Sequence, residues 1–125
     1  MTKKQWSEYL EDYTNRMREV ARKKNADYTG TGDDPFANFS RVEMLGVCTT
    51  LQGMLVRMLD KYCRLTSFSQ RGFLLVEDES FEDTCLDLSN YAALLAGVVK
   101  SAKLKDKKSG ATKHIANRRR KARRR

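Results

Sequence analysis

A chain of 125 residues, 40% hydrophobic and 33% charged, is long enough to bury one core and too short for two. One proline, seven glycines and no run of alternating β-branched residues exclude a β-rich fold and leave an all-α one. The formal charge of +9 is unevenly spread, because residues 1–99 carry 12 Lys/Arg against 15 Asp/Glu while residues 100–125 carry 13 against one, so the body is mildly acidic and the basic character belongs to the tail.

No apolar stretch approaches the roughly 18 residues of a membrane span, and the opening MTKKQWSEYLEDY is charged and amphipathic rather than signal-like. The expectation is a cytoplasmic protein with no membrane partner. Cys48, Cys63 and Cys85 are odd in number, scattered and without a CxxC pair, which reads as reduced thiols rather than a disulfide framework or a zinc site.

Taken in order, the first helix is predicted from Lys3 or Lys4 to about Lys24, with Trp6, Tyr9, Leu10, Tyr13, Met17 and Val20 on its apolar face. The segment NADYTGTGDDPFANF, Asn25 to Phe39, is the least helix-like part of the body. Asp34-Pro35 reads as an N-cap followed by proline at the first helical position. No Lys-Ser/Thr follows the glycines, which excludes a Walker loop. The segment is either a plain connector or a ligand loop in which Asp27, Tyr28 and Asn38 suit a nucleobase and sugar. Phe36 and Phe39 then open a short helix ending near Gly46.

Thr49-x-x-Gln52 is a capping box, and a long helix should run from Leu51 to about Ser67 with Leu51, Met54, Leu55, Met58, Tyr62 and Leu65 as its apolar stripe. Arg57, Asp60, Lys61 and Arg64 fall within an arc of roughly 100° beside that stripe. They form either a solvated face or a set whose Lys61 and Arg57 meet the acids of the last helix or a ligand's phosphates. After a connector containing GFLLVED, Ser80 with Asp83 begins the last helix, predicted to Lys100. Tyr91, Leu94, Leu95 and Val98 define one stripe of it. Asp87 projects near the middle of that stripe, with Asp83 and Asn90 at the edge. A carboxylate aimed at a core must be paired, hydrogen-bonded or metal-bound.

Residues 1–102 therefore read as an all-α bundle of about four helices, and residues 103–125 as a disordered basic tail with too few apolar side chains to offset the entropy of ordering. Arg118, Arg119, Arg120, Lys121, Arg123, Arg124 and Arg125 form a polycation suited to nonspecific contact with nucleic acid. His114, the only histidine, lies in that tail, so the body holds no histidine-based triad.

Three stretches together, KNADYTG…DDPFANF from Lys24, VRMLDKYCRL from Val56 and ESFEDTCLDLSNYAALLAG from Glu79, resemble the nucleotide-modification-associated domain of bacteria and phages. That group is similar in outline to the all-α MazG-like NTP pyrophosphohydrolases. The resemblance covers most of residues 20–100 and omits the tail. It implies a MazG-like helical bundle with a nucleotide pocket between the two long helices, often dimeric, and a host-cytoplasmic location if phage-encoded.

MazG-like enzymes hold Mg²⁺ on carboxylates of an ExxE and a later ExxD motif and direct water at the α–β phosphate linkage. The resemblance implies Asp60 and Asp87 as catalytic residues and Asp60, Glu79, Asp83 and Asp87 as metal ligands. Arg57, Lys61 and Arg64 would take phosphate, and Asp27, Tyr28, Asn38 and Asn90 the rest of the nucleotide. Arg57 stands where the first acid belongs, and Thr84 stands three residues before Asp87, the nearest substitutes being Glu79, Glu82 and Asp83. The function expected is that of a nucleotide-binding protein with Mg-dependent (deoxy)nucleoside triphosphate pyrophosphohydrolysis. The alternatives are a non-catalytic nucleotide binder or sequestering protein of a phage, and a basic-tailed nucleic-acid accessory dimer.

Overall fold

Three of the four helices start from reciprocal side-chain caps, and these caps set the register in which every later side chain is presented. The computed structural model describes residues 1–29, 32–75 and 79–122, with side chains described for 1–27, 32–75 and 79–106. Helix α1 spans Lys3–Thr29, α2 Ala37–Met44, α3 Thr50–Arg71 and α4 Phe81–Ala122, and no strand occurs among the described residues. The all-α expectation holds.

Before α1, the Gln5 N–H donates to Thr2 Oγ1 at 3.2 Å while the Thr2 N–H donates to Gln5 Oε1 at 2.8 Å, the same box as Thr49–Gln52 but one that the sequence reading passed over. At α3 both bonds of the predicted box form, at 3.2 and 3.0 Å. At α4 the Asp83 N–H donates to Ser80 Oγ and the Ser80 N–H to Asp83 Oδ2, both at 3.0 Å. Each box satisfies two backbone donors that a helix start would otherwise leave open.

The ends differ more from expectation. Helix α1 continues through Asn25–Thr29, because nothing before the glycine at position 30 breaks the helix, so Asp27 and Tyr28 are helical rather than loop residues. Asp34 does not cap α2 directly. Its Oδ1 accepts from the Phe36 N–H at 2.9 Å, a local turn that delays the helix to Ala37. Helix α3 runs past Ser67, whose hydroxyl donates to the Cys63 carbonyl at 3.0 Å, and it stops at Gly72, whose φ of 80° few other residues adopt without strain.

The chain divides into two compact units, Met1–Leu95 and Ala96–Arg125. In the second unit helical backbone is described to Ala122, and side chains are described to Asp106. The side chains of Arg118 to Arg120, Lys121 and Arg123 to Arg125 lie outside the described residues.

Among the described residues of the first unit Met54 and Leu86 are the buried hydrophobic side chains, and Thr84, Asp87 and Asn90 are buried as well. Phe39 of α2 meets Tyr91 of α4 edge-on at 6.0 Å, and Phe68 at the end of α3 meets Phe81 at the start of α4 at 4.5 Å. Gly53 lets α2 approach α3, since a Cβ there would stand 3.0 Å from Val42 Cγ2. The predicted α3 stripe is split. Met54, Met58 and Leu65 turn inward, whereas Leu55 and Tyr62, joined by Leu59, are each more than half exposed and Leu51 is 38% exposed.

Replacing Thr49 by Ala should lower the free energy of unfolding by about 1 kcal/mol. Urea denaturation checks this, and Thr2→Ala should cost a similar amount if the unforeseen box caps α1 as drawn.

Candidate functional site

Thr84, Asp87 and Asn90 recur three residues apart on α4, so the register set by the Ser80 cap carries all three to the buried side together with Leu86. Asp87 is only 7% exposed. Its carboxylate answers the requirement raised by the sequence through two ammonium groups rather than a metal. Lys24 of α1 donates to Oδ1, and Lys61 of α3 sits 2.8 Å from Oδ2. Burial by itself would push the Asp87 carboxyl up, but the hydrogen bonds from Lys24 and Lys61 outweigh it and hold the group below its ordinary range. Burial likewise opposes the charge on Lys61, and the bonds to Asp87 and Glu79 prevail and hold that ammonium above its usual value.

Glu79 extends the network toward the surface. Its Oε1 accepts from Lys61 at 3.0 Å, its Oε2 lies 2.7 Å from Arg64 Nη1, and its carbonyl accepts from Arg64 Nη2 at 3.0 Å. Arg64 is thus gripped at both ends of its fork by one residue, while its buried Nε has no hydrogen-bond partner among the described residues. Above this layer, Arg57, Asp60, Lys61 and Arg64 line a shallow hollow of about 180 Å³. Arg57 and Asp60 face each other across 4.0 Å at the exposed rim.

The expected metal set does not assemble in this arrangement. Asp87 and Glu79 are neutralised by Lys24, Lys61 and Arg64, three cations around two carboxylates. Asp83 is spent on the cap, where hydrogen bonds from the Ser80 hydroxyl and backbone depress its pKa. Asp60 stands at the rim, and no group of three acidic, histidine or cysteine side chains suited to a metal occurs among the described residues. A divalent cation seeks several hard oxygens with a surplus of negative charge. These residues offer a surplus of positive charge, so they do not fit Mg²⁺ as placed.

Of the remaining site residues, Asn90 is buried with its Nδ2 unpartnered, Asn38 is half-buried on α2, and Asp27 is exposed near the end of α1. The Tyr28 side chain lies outside the described residues. The anticipated meeting of Lys61 with the acids of the last helix occurs, and Arg57 stands 4.0 Å from Asp60. Sequence reasoning missed Lys24, which reaches Asp87 across 63 positions, and a second α1–α4 set in which Arg16 sits 2.8 Å from Glu82 Oε2 and the Tyr9 hydroxyl donates to Glu82 Oε1 at 3.1 Å. The only signal for these was that the polar residues of α1 include several cations flanking its apolar face. No family model, no curated protein and no solved structure matches the chain.

The network fixes how stability responds to pH. The depressed Asp87 contributes stability that is complete above its unfolded value of about 4 and is lost as pH falls through the lower folded value. The raised Lys61 contributes stability that is complete below about 10.4 and is lost as pH rises through the higher folded value. Chemical denaturation across pH should therefore show a plateau between those limits. Asp87→Ala should cost roughly 3–5 kcal/mol by stranding two ammonium groups, toward the lower end because Lys24 keeps some water. Asp60→Ala should cost no more than about 0.5 kcal/mol.

Proposed function

We propose that the chain binds a nucleotide through its phosphates and does not cleave it. The observation that carries this reading is the hollow over Arg57, Lys61 and Arg64, in which two of the three cations are already fixed from beneath. Ordering a long cationic side chain costs free energy, and Glu79 and Asp87 have met that cost before a ligand arrives. The anion then gains charge-assisted hydrogen bonds from donors held in place. The resemblance to the nucleotide-modification-associated domain supports a nucleotide as the phosphate carrier. Hydrolysis on a bound Mg²⁺ finds no support in the donor set, because the acids that would hold the ion are committed to cations.

Self-association belongs to the same proposal. Leu51, Leu55, Leu59 and Tyr62 fall within an arc of about 80° on α3, on the other flank of its buried side from the cations. Met44, Leu45 and Val47 are also exposed nearby in sequence. A unit whose buried hydrophobic side chains are Met54 and Leu86 gains much from a second copy covering that stripe.

Calorimetry with common ribo- and deoxynucleoside triphosphates should show binding, and a pyrophosphate assay with Mg²⁺ should show no release. Arg57→Ala should weaken the binding about ten-fold, the scale of one charge-assisted hydrogen bond. Absence of binding to every nucleotide would overturn the proposal, and Mg²⁺-dependent release would restore the pyrophosphohydrolase reading. Leu55→Lys with Leu59→Lys should shift sedimentation from dimer to monomer, and an unchanged sedimentation coefficient would remove that interface.

A further inference from the structure

A second hollow of about 160 Å³ is lined by Arg64, Ser67, Arg71, Phe73, Leu74 and Leu75. Arg64 lines the first hollow as well, so the two meet at one guanidinium. Arg57, Asp60, Lys61, Arg64, Ser67 and Arg71 fall at i, i+3, i+4, i+7, i+10 and i+14, which places them within an arc of about 120° along roughly 21 Å of α3. The chemistry changes along this track. Its first half is ionic throughout. At its far end Ser67 and Arg71 face the exposed ring of Phe73 and the exposed side chain of Leu75, which leave the helix just after Gly72 takes its left-handed turn.

Neither hollow alone suits a whole nucleotide. The first offers three cations and the Asp60 carboxylate without an apolar wall, and the second offers an aromatic face beside guanidinium groups, which is what a planar ring stacks on. We infer that the two hollows form one ligand track, with the phosphates of a nucleotide at Arg57, Lys61 and Arg64 and its base in the second hollow against Phe73 and Arg71. This rests on the nucleotide-binding proposal. It moves the base away from Asp27 and Asn38, where the sequence had offered a ligand loop. Arg64 stands at the junction of the two hollows.

The test uses the full chain, isothermal calorimetry, and two kinds of probe: ATP, GTP, dCTP and dTTP, and inorganic tripolyphosphate. Phe73 is 56% exposed, so Phe73→Ala leaves the fold intact, which circular dichroism verifies. Phe73→Ala should weaken the best nucleotide about ten-fold and leave tripolyphosphate unchanged, whereas Arg57→Ala should weaken both alike and Asn38→Ala neither. Loss of nucleotide affinity on Asn38→Ala but not on Phe73→Ala would overturn the inference, as would equal loss of both probes on Phe73→Ala. If tripolyphosphate binds and no nucleotide binds more tightly, the base seat falls while the phosphate site stands. If neither probe binds the wild-type chain, the nucleotide proposal falls and the base seat with it.

Discussion

One buried carboxylate holds three helices to a common point. Asp87 of α4 is removed from water, and an isolated ionised group in that position would be far too costly to keep charged. Two ammonium groups, brought from α1 and α3, make its ionisation favourable again. The contact is directional in a way that apolar packing is not. A helix sliding by one residue keeps much of its buried hydrophobic area, but it pulls Lys24 or Lys61 off a single oxygen. With so few fully buried hydrophobic side chains, the first unit draws its specificity of arrangement from this polar centre more than from a jigsaw core. Whether that centre also adds net stability over an apolar substitute is a separate matter, since well-packed hydrophobic replacements of buried ion pairs are often neutral or better.

The same network underlies the phosphate site proposed at the surface above it. Lys61 links the two layers, bonded to Asp87 below and to Glu79 at its side while lining the hollow above. Arg64 is locked by Glu79 and lines both hollows. The carboxylates of Asp87 and Glu79 are engaged by these cations. On α4, Thr84 is a buried hydroxyl that donates to the Ser80 carbonyl. The proposed role of the hollow is to hold an anion on cations that are already in place.

Much of the fold was legible because it is locally encoded. The Thr49–Gln52 box, the Ser80–Asp83 box and the absence of strand patterning each depend on residues within a few positions of one another. The Thr2–Gln5 box was equally legible and was overlooked. Asp87 announced itself as an acid on an apolar stripe, and Lys61 as a neighbour of the core edge. What could not be read was the third partner, because the choice of Lys24 over Arg22 or Lys23 depends on how α1 crosses α4, and that angle is set by tertiary packing. The division of the α3 stripe was hidden for a related reason. Periodicity locates apolar side chains on a face, but the width of face that one chain covers depends on how many neighbours it supplies, and here Leu55, Leu59 and Tyr62 are left uncovered.

The central claim, that Asp87 is an electrostatic anchor rather than a metal ligand or catalytic acid, is tested most directly by a double-mutant cycle on Asp87→Asn and Lys61→Met, with unfolding free energies measured by urea in the presence and absence of Mg²⁺. The account predicts a coupling energy of about 1–3 kcal/mol, the same with and without the ion. A coupling near zero, or stabilisation by Mg²⁺ that vanishes in Asp87→Asn, would contradict it.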